Sequence, residues 1–311
     1  MFDRSAVTRQ AAALAAQGVF IGTSSWKYPG WRGLLYEEDR YIWRGKFAES
    51  RFNKQCLSEY AEVFKTVCVD AAYYAFPTVR SLEGLAEQVP ADFQFGFKVT
   101  DEITLKQFPK LDRFGQRAGQ PNPNFLNAGL FADLFLGPCE SVRSKVGLLM
   151  FEFSRFYPSD YGSGREFLEQ LDGFLGRLPQ GWPYAVELRN RSWLTPEYFA
   201  CLAARGVTHV FNSWEAMPPV DEQMALLGSR TQPALVAARF LLKPGRKYEE
   251  AVKAFSPYDQ LREVNAAGRA AAAKLIKEGR VAEKRKTFIY INNRFEGNSL
   301  MTIAGVLGGI A

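Results

Sequence analysis

The sequence contains few of the residues that build metal centres and disulfide frameworks. It has one histidine, His209, and four widely spaced cysteines, Cys56, Cys68, Cys139 and Cys201. A zinc site of histidine and cysteine ligands is therefore not expected, and neither is a Ser-His-Asp triad, because His209 lies early in a predicted strand. Isolated cysteines of this kind are typical of reduced core thiols, so we expect a cytoplasmic protein without disulfide bonds.

Long apolar runs and glycine-rich phosphate loops are also missing. No segment approaches the roughly 20 apolar residues of a membrane span, and the N-terminal stretch AVTRQAAALAAQGVF is interrupted by Arg9 and Gln10. That stretch predicts an amphipathic helix rather than a signal peptide. The chain has neither a Walker loop nor a G-x-G-x-x-G motif. We expect no association with a membrane.

What the chain does have is an ordinary globular composition with a mild excess of positive charge. Of its 311 residues 47% are hydrophobic, and its formal net charge is +6. This length allows one large domain or two average ones. The basic excess permits an anionic ligand or a nucleic acid as partner without requiring either. Nothing in the sequence indicates an oligomeric state.

Eight short runs rich in β-branched and aromatic residues alternate with longer amphipathic stretches. We predict strands at Val19–Thr23, Thr66–Asp70, Phe93–Val99, Val146–Phe153, Tyr184–Leu188, Thr208–Asn212, Leu235–Phe240 and Lys286–Asn292. Eight β/α units predict an α/β fold, a TIM-type (β/α)8 parallel barrel, with a doubly wound open sheet as the alternative. We expect one domain, in which residues 1–17 form an N-terminal helical extension and residues 18–311 form the barrel.

Polar side chains stand at nearly every predicted strand end, where barrels of this type carry their chemistry. Candidate catalytic carboxylates are Glu187, Asp70 and Glu152. Candidate ligand-binding residues are Thr23, Ser24, Trp26, Tyr28, Trp31, Tyr73, Tyr74, Lys98, Arg189, Asn212, Arg239, Asn292 and Asn293. The alternative is that the charges pair with one another, Glu187 with Arg189 or Glu152 with Lys98, and that the aromatic rings form a hydrophobic lid.

Five motifs occur in the order IGTSSWKYPGWRG, VCVDAAYYAFP, FQFGFKVT, VELRNRSW and IYINNRFEGNS. With these motifs the chain resembles the YecE-like family, domain of unknown function 72, from about residue 18 to the C terminus. The resemblance implies a TIM-type barrel and no particular reaction. It also implies that the motif positions line a shared cavity, which adds Gly22 and Trp193 to the candidates above.

The chain departs from the family pattern at four places. Glu152 and SRFYPSD stand where the family commonly has a glutamine and then a proline stretch, and Asn190 stands where a histidine often follows the arginine of the fifth strand. Asn212 replaces a frequent aspartate, and ARFLLKPG replaces an RLHG-like end of the seventh strand. The chain thus represents a divergent branch, and these departures bear on any acid–base role at those positions.

Three functions fit these residues. The first is an enzyme acting on a small anionic or phosphorylated ligand, held by Lys98, Arg189 and Arg239, with Glu187 or Asp70 as general base. The second is a carbohydrate-active hydrolase using Glu152 and Glu187, which requires carboxyl groups about 5–10 Å apart. The third is a non-catalytic protein that binds a ligand or single-stranded nucleic acid. No cofactor is indicated, although the carboxylates and asparagines would suit Mg²⁺ or Mn²⁺ better than zinc.

Overall fold

A closed barrel of eight parallel strands forms the centre of the computed structural model, which describes residues 2–310. The strands are β1 (Val19–Thr23), β2 (Thr66–Val69), β3 (Gln94–Lys98), β4 (Val146–Phe153), β5 (Tyr184–Leu188), β6 (Thr208–Asn212), β7 (Leu235–Phe240) and β8 (Lys286–Ile291). Each strand pairs with its neighbours in the sequence, and β8 closes the ring on β1 with Val19 opposite Thr287. The predicted TIM-type barrel is confirmed, and the predicted strand bounds hold to within one residue.

Helices surround the barrel. The α-helices of six residues or more within 2–310 are α1 (Arg4–Ala16), α2 (Glu49–Val63), α3 (Val79–Ala86), α4 (Gly164–Leu175), α5 (Pro196–Ala204), α6 (Val220–Ala225), α7 (Tyr248–Phe255), α8 (Ala266–Arg280) and α9 (Ser299–Gly308). Shorter α-helices and the segments of 3-10 or π-helix are Pro29–Trp31, Ala71–Tyr74, Asp101–Thr104, Asp112–Arg117, Ala128–Phe131, Ala132–Leu136, Gly137–Cys139, Glu140–Lys145, Arg191–Trp193 and Asn293–Glu296. A small antiparallel hairpin pairs Ile42–Trp43 with Lys46–Phe47. The short segments lie mostly in the loops that follow the strands, which makes the C-terminal end of the barrel the elaborated end.

The N-terminal stretch forms the helix that its pattern predicts. The Asp3 side chain caps α1 by accepting from the Ala6 N–H at 2.9 Å, as a residue in this position does for an otherwise unpaired donor. Val7, Ala11 and Leu14 are buried, and the helix packs against β1, α2 and α9. Among residues 2–310 no helix is both long and apolar enough to cross a membrane.

The inside of the barrel is filled by large side chains over most of its height. Phe20 and Phe288 stack with ring centroids 4.9 Å apart. One layer nearer the C-terminal end, Tyr290 crosses the barrel and its hydroxyl lies 3.1 Å from Thr66 Oγ1. A side chain added at Gly96 would meet the Tyr290 hydroxyl at 2.3 Å. Glycine on β3 is therefore what makes room for the tyrosine, and the barrel is closed below its C-terminal end.

We expect Gly96→Ala to lower the free energy of unfolding by about 1–3 kcal/mol, because an overpacked core has to displace a side chain or the backbone. Gly173→Ala in α4 is the matched control, since nothing lies within 4 Å of its added carbon and alanine is the better helix former by roughly 0.5–1 kcal/mol. Urea denaturation of both variants measures the difference. Equal stability of Gly96→Ala and the wild type would contradict the packing described.

Candidate functional site

Six charged side chains form the topmost layer of the barrel interior. Successive residues of a strand point to opposite faces, so the residue two places after an inward-facing one also points inward. This period places Lys98 above Gly96, Glu152 above Met150, and Arg239 above Ala237. The charged cluster, as we call it, consists of Asp70, Lys98, Glu152, Glu187, Arg189 and Arg239, which ion pairs link into one network.

The centre of the charged cluster is a pair of glutamates bridged by two guanidinium groups. Glu152 and Glu187 stand opposite each other on β4 and β5. Arg239 Nη1 lies 2.8 Å from Glu152 Oε2 and 2.6 Å from Glu187 Oε2, while Arg189 Nη2 lies 2.8 and 2.9 Å from the same two carboxylates. Lys98 Nζ adds a third cation 2.8 Å from Glu152. The structure thus contains both ion pairs predicted as the alternative from the sequence, Glu187 with Arg189 and Glu152 with Lys98.

Glu152 is held as a carboxylate by its neighbours. Burial by itself would raise its pKa, but the charges of Arg189, Lys98 and Arg239 outweigh burial and hold the pKa well below the usual range. At neutral pH the group accepts hydrogen bonds and has no proton to donate. Glu152 therefore acts here as an anchor for three cations and is unsuited to the role of general acid.

Asp70 is the carboxylate of the charged cluster that water reaches. It follows β2, its side chain is 35% exposed, and its ion pair with Arg239 Nη2 is long at 3.7 Å. Burial of the remaining surface raises its pKa above the ordinary value, against the opposing charges of Lys98 and Arg239. A carboxyl group with a raised pKa at the C-terminal end of the barrel, which we call the mouth, is suited to proton transfer.

Lys98 is held beside Asp70 by an aromatic ring as well as by its ion pair. Its ammonium lies 3.6 Å from the centroid of the Tyr73 ring, close enough for a cation–π interaction. Only 12% of the lysine side chain is exposed. The ammonium is therefore fixed in place, with its charge available at the mouth.

Arg294 is a residue of the mouth that sequence reasoning missed. It lies in the short helix after β8, where its guanidinium is 4.5 Å from the Tyr248 ring centroid, and it has no ion pair among residues 2–310. Its charge lowers the pKa of Asp70 and, after the larger effect of burial, offsets the rise in the pKa of Tyr28. The sequence did offer a signal for Arg294, because this arginine stands in the motif IYINNRFEGNS, one position after the predicted site residue Asn293.

The aromatic loop after β1 serves mainly as packing. Trp31 has no exposed surface and Trp26 is 4% exposed, and the Trp31 ring packs against Tyr28 and Tyr36 at 4.8 and 6.2 Å. Tyr28 is half-buried, and burial raises its pKa to about 12. The two tryptophans are thus buried packing residues and offer no open ring to a ligand.

The two tyrosines after β2 differ from each other. Tyr73 is buried beneath Lys98, whereas Tyr74 is 63% exposed. Burial raises the pKa of Tyr74, with a further rise from the charge of Asp70, so its hydroxyl end lies near that carboxylate. Tyr74 therefore offers an open ring beside the mouth and Tyr73 does not.

Several predicted ligand-binding residues are occupied with holding the backbone. Thr23 Oγ1 donates to the carbonyl of Ser25 at 2.6 Å, and Asn212 Nδ2 donates to the last carbonyl of β5 at 3.1 Å. Asn292 Oδ1 caps the short helix after β8 by accepting from the Arg294 N–H at 2.9 Å. These groups shape the ends of the strands, and the polar atoms named here are satisfied within the protein.

At the adjoining ends of β8 and β1, two candidates keep a polar atom without a partner among residues 2–310. Asn293 Oδ1 accepts from the N–H and hydroxyl of Ser299, both at 2.8 Å, while its amide nitrogen has no acceptor. Ser24, at the adjoining end of β1, has an unpartnered hydroxyl. Buried donors without acceptors are costly, so this side of the mouth favours a guest that accepts hydrogen bonds.

Trp193 lies away from the charged cluster. Its ring stacks on Phe156 and Phe167, with centroids 5.6 and 5.5 Å apart, on the outer side of the barrel between β5 and α4. The residue supports the loops after β4 and β5. Trp193 therefore lies at the surface of these loops and does not line the mouth.

His209 is a packed core residue. It is 1% exposed, it packs against Tyr198, Phe199 and Phe211, and its Nδ1 lies 3.2 Å from the Tyr198 hydroxyl. These neighbours place it between β6 and α5, outside the barrel interior. Within the described part of the chain no group of three or more His, Cys, Asp or Glu side chains is arranged to hold a metal ion.

Comparison with known proteins shows which family the chain belongs to. Residues 20–307 match the family model described as "Protein of unknown function DUF72". A DUF72 family protein from Enterococcus faecalis superposes with a TM-score of 0.63 at 19% identity, covering 93% of this chain and 95% of that one. Another from Thermotoga maritima gives 0.60 at 20% identity, with coverages of 94% and 98%. No curated protein matches, and at these identities the likeness to the solved structures concerns the fold alone.

Proposed function

Because the chain belongs to the DUF72 family of proteins of unknown function, its activity has to be inferred from its own geometry, and we propose an enzyme that binds a small anionic or phosphorylated ligand at the C-terminal mouth. Three cations and three carboxylates make the charged cluster neutral as a whole. Arg294 adds one positive charge on its open side, where no carboxylate among residues 2–310 pairs with it. An anion entering the mouth is therefore attracted rather than repelled.

The observation that carries the proposal is the state of Asp70. Its two fellow carboxylates are 2% and 0% exposed and bound by guanidinium groups, whereas Asp70 is one-third exposed and has a raised pKa. In the proposed enzyme Asp70 moves the proton, as base or acid. Lys98 and Arg294 hold the anion beside it.

The remaining cluster residues act through these three. Glu152 and Glu187 fix the guanidinium groups of Arg189 and Arg239, and Glu152 also holds Lys98. Such an arrangement keeps positive charge immobile at the mouth, so that little reorganisation is needed when the charge of a reacting ligand changes. We assign them positioning roles and leave the proton transfer to Asp70.

Sugar hydrolysis by Glu152 and Glu187 is not supported by this geometry. A glycosidase needs open space between its two carboxyl groups for the bond that is cleaved. Here single nitrogens of Arg189 and Arg239 contact both glutamates and occupy that space. The lowered pKa of Glu152 also removes it as proton donor.

A binding screen tests the proposal. We expect a panel of phosphate monoesters to contain a compound that raises the melting temperature by about 4 °C at a concentration near 100 times its Kd. Arg294→Gln and Lys98→Met should each lose most of that shift, because each removes a fixed positive charge from the mouth. Differential scanning fluorimetry measures both effects.

Asp70→Asn is the matched control for binding. It removes a negative charge beside the anion, so the ligand-induced shift should persist or grow. Conversion of the same compound, followed by mass spectrometry, should fall by about 10²–10⁴-fold in Asp70→Asn. Equal shifts in the wild type and Arg294→Gln would contradict the binding site, and unchanged conversion in Asp70→Asn would contradict the role of Asp70.

The cysteines support a cytoplasmic location for this enzyme. All four are free, and Cys56, Cys68 and Cys139 are buried. Burial raises the pKa of each of these three thiols, which keeps them protonated and unreactive. We propose that they are core residues of a protein that works in a reducing compartment.

A further inference from the structure

A groove runs along the rim of the barrel beside the mouth. It consists of two adjoining cavities of about 460 and 620 Å³. Residues 104–109 and 214–216 bound the first, and residues 161–163 and 190–193 bound the second. The two cavities share residues 155–157, Arg189 and Ala216. We call this continuous depression the rim groove; neither Asp70 nor Lys98 lines it.

The rim groove carries an excess of positive charge. Its charged lining residues are four cations and two carboxylates, namely Lys106, Arg155, Arg189, Arg191, Asp160 and Glu215. Arg189 is already paired with Glu152 and Glu187 of the charged cluster, which leaves three cations against two carboxylates. Arg155 and Arg191 are exposed, and neither forms an ion pair with any residue of the described chain, 2–310. These two guanidinium groups are therefore free to meet phosphate.

Aromatic rings alternate with these cations along the rim groove. Tyr157 is 57% exposed, and the guanidinium of Arg155 lies 5.3 Å from its ring centroid. Trp214 is half-buried, and Arg189 lies over its ring at 3.8 Å. The groove thus presents flat π surfaces next to cations, the combination that recognises unpaired bases and their phosphates.

We infer that the rim groove binds single-stranded nucleic acid. The phosphates contact Arg155 and Arg191, and bases stack on Tyr157 and against Trp214. A duplex keeps its bases stacked inside the helix and cannot offer them to these aromatic side chains. An acidic peptide supplies negative charge but lacks an aromatic base beside each charged group. The inference concerns a second binding surface and does not depend on the proposed chemistry at Asp70.

Fluorescence anisotropy with labelled oligothymidylate and oligouridylate of about 12 nucleotides tests the inference. We expect the wild type to bind at low salt, with an affinity that falls steeply from about 50 to 200 mM salt. In the double variant Arg155→Ala/Arg191→Ala the affinity near 100 mM salt should drop by about 25-fold, and the slope of log K against log salt should become shallower by about 1.4. Tyr157→Ala should weaken binding by about tenfold with the slope unchanged.

The matched control is Lys274→Ala/Lys277→Ala, which removes two charges from α8, where both lysines are exposed. It should bind like the wild type. Binding of either oligonucleotide, or of both, with loss only in the groove variants supports the inference. Equal weakening in the α8 variant would show attraction by net charge alone and overturn it, as would equal affinity for a duplex or no binding by the wild type at low salt.

Discussion

Replacing Glu187 by alanine should lower the free energy of unfolding by about 3–5 kcal/mol, because it leaves buried cations without their partner. The Glu187 side chain has no exposed surface and contacts Arg189 Nη2 at 2.9 Å and Arg239 Nη1 at 2.6 Å. After its removal the two guanidinium groups and Lys98 share Glu152 as their one close carboxylate. Urea denaturation followed by tryptophan fluorescence measures the loss.

Glu169→Ala provides the comparison for an exposed ion pair. Glu169 and Arg165 lie 3.3 Å apart on α4, with side chains 69% and 87% exposed, and such pairs contribute about 0.3–0.5 kcal/mol. If Glu187→Ala cost no more than Glu169→Ala, the ion pairs of the charged cluster would not be structural. Glu187→Gln, which keeps the volume and removes the charge, separates the electrostatic part of the loss from the cavity.

Acid should destabilise the protein through its single histidine. Burial lowers the pKa of His209 from 6.5 to about 3, so the unfolded chain takes up a proton that the folded protein refuses. The contribution of His209 is complete above pH 6.5 and is lost as the pH falls toward about 3. Each pH unit in that window removes about 1.4 kcal/mol, or about 2–3 kcal/mol by pH 4.5.

The variant His209→Gln isolates this effect from the titration of carboxylates. Glutamine stays neutral, and the chain has no other histidine, so the difference in unfolding free energy between variant and wild type should change with pH only below about 6.5. Urea denaturation at several pH values from about 4.5 to 8 gives that difference. Parallel pH profiles for the two proteins would mean that His209 is protonated in the folded state.

The strands were predictable because buried parallel strands are nearly continuous apolar runs. The bounds of α5 were equally predictable. At its start Thr195 Oγ1 accepts from the Tyr198 N–H at 3.4 Å and Pro196 follows. Just beyond its end Gly206 has a positive φ of 64°. In each case the signal is local. A few consecutive residues carry all the information that the element needs.

The candidate site was predictable only as a set of strand ends. That Glu152 and Glu187 would share the guanidinium of Arg239 depends on the register between β4 and β5 and on the reach from β7, which no local pattern encodes. The same holds for Trp31, whose sequence context is compatible with stacking on a ligand and whose burial follows from packing against Tyr36. Long-range contacts therefore decided which predicted residues face the mouth.

Tyr290 and the stacked phenylalanines beneath it block the inside of the barrel. This determines how a ligand can reach and leave the mouth. With Gly96 opposite the tyrosine, these side chains fill the middle of the barrel between its two ends. In the proposed enzyme, reactant and product would therefore enter and leave through the C-terminal end, one after the other. The rim groove lies beside the mouth, so a nucleic acid bound in the groove would also slow the binding and release of a small ligand at the mouth.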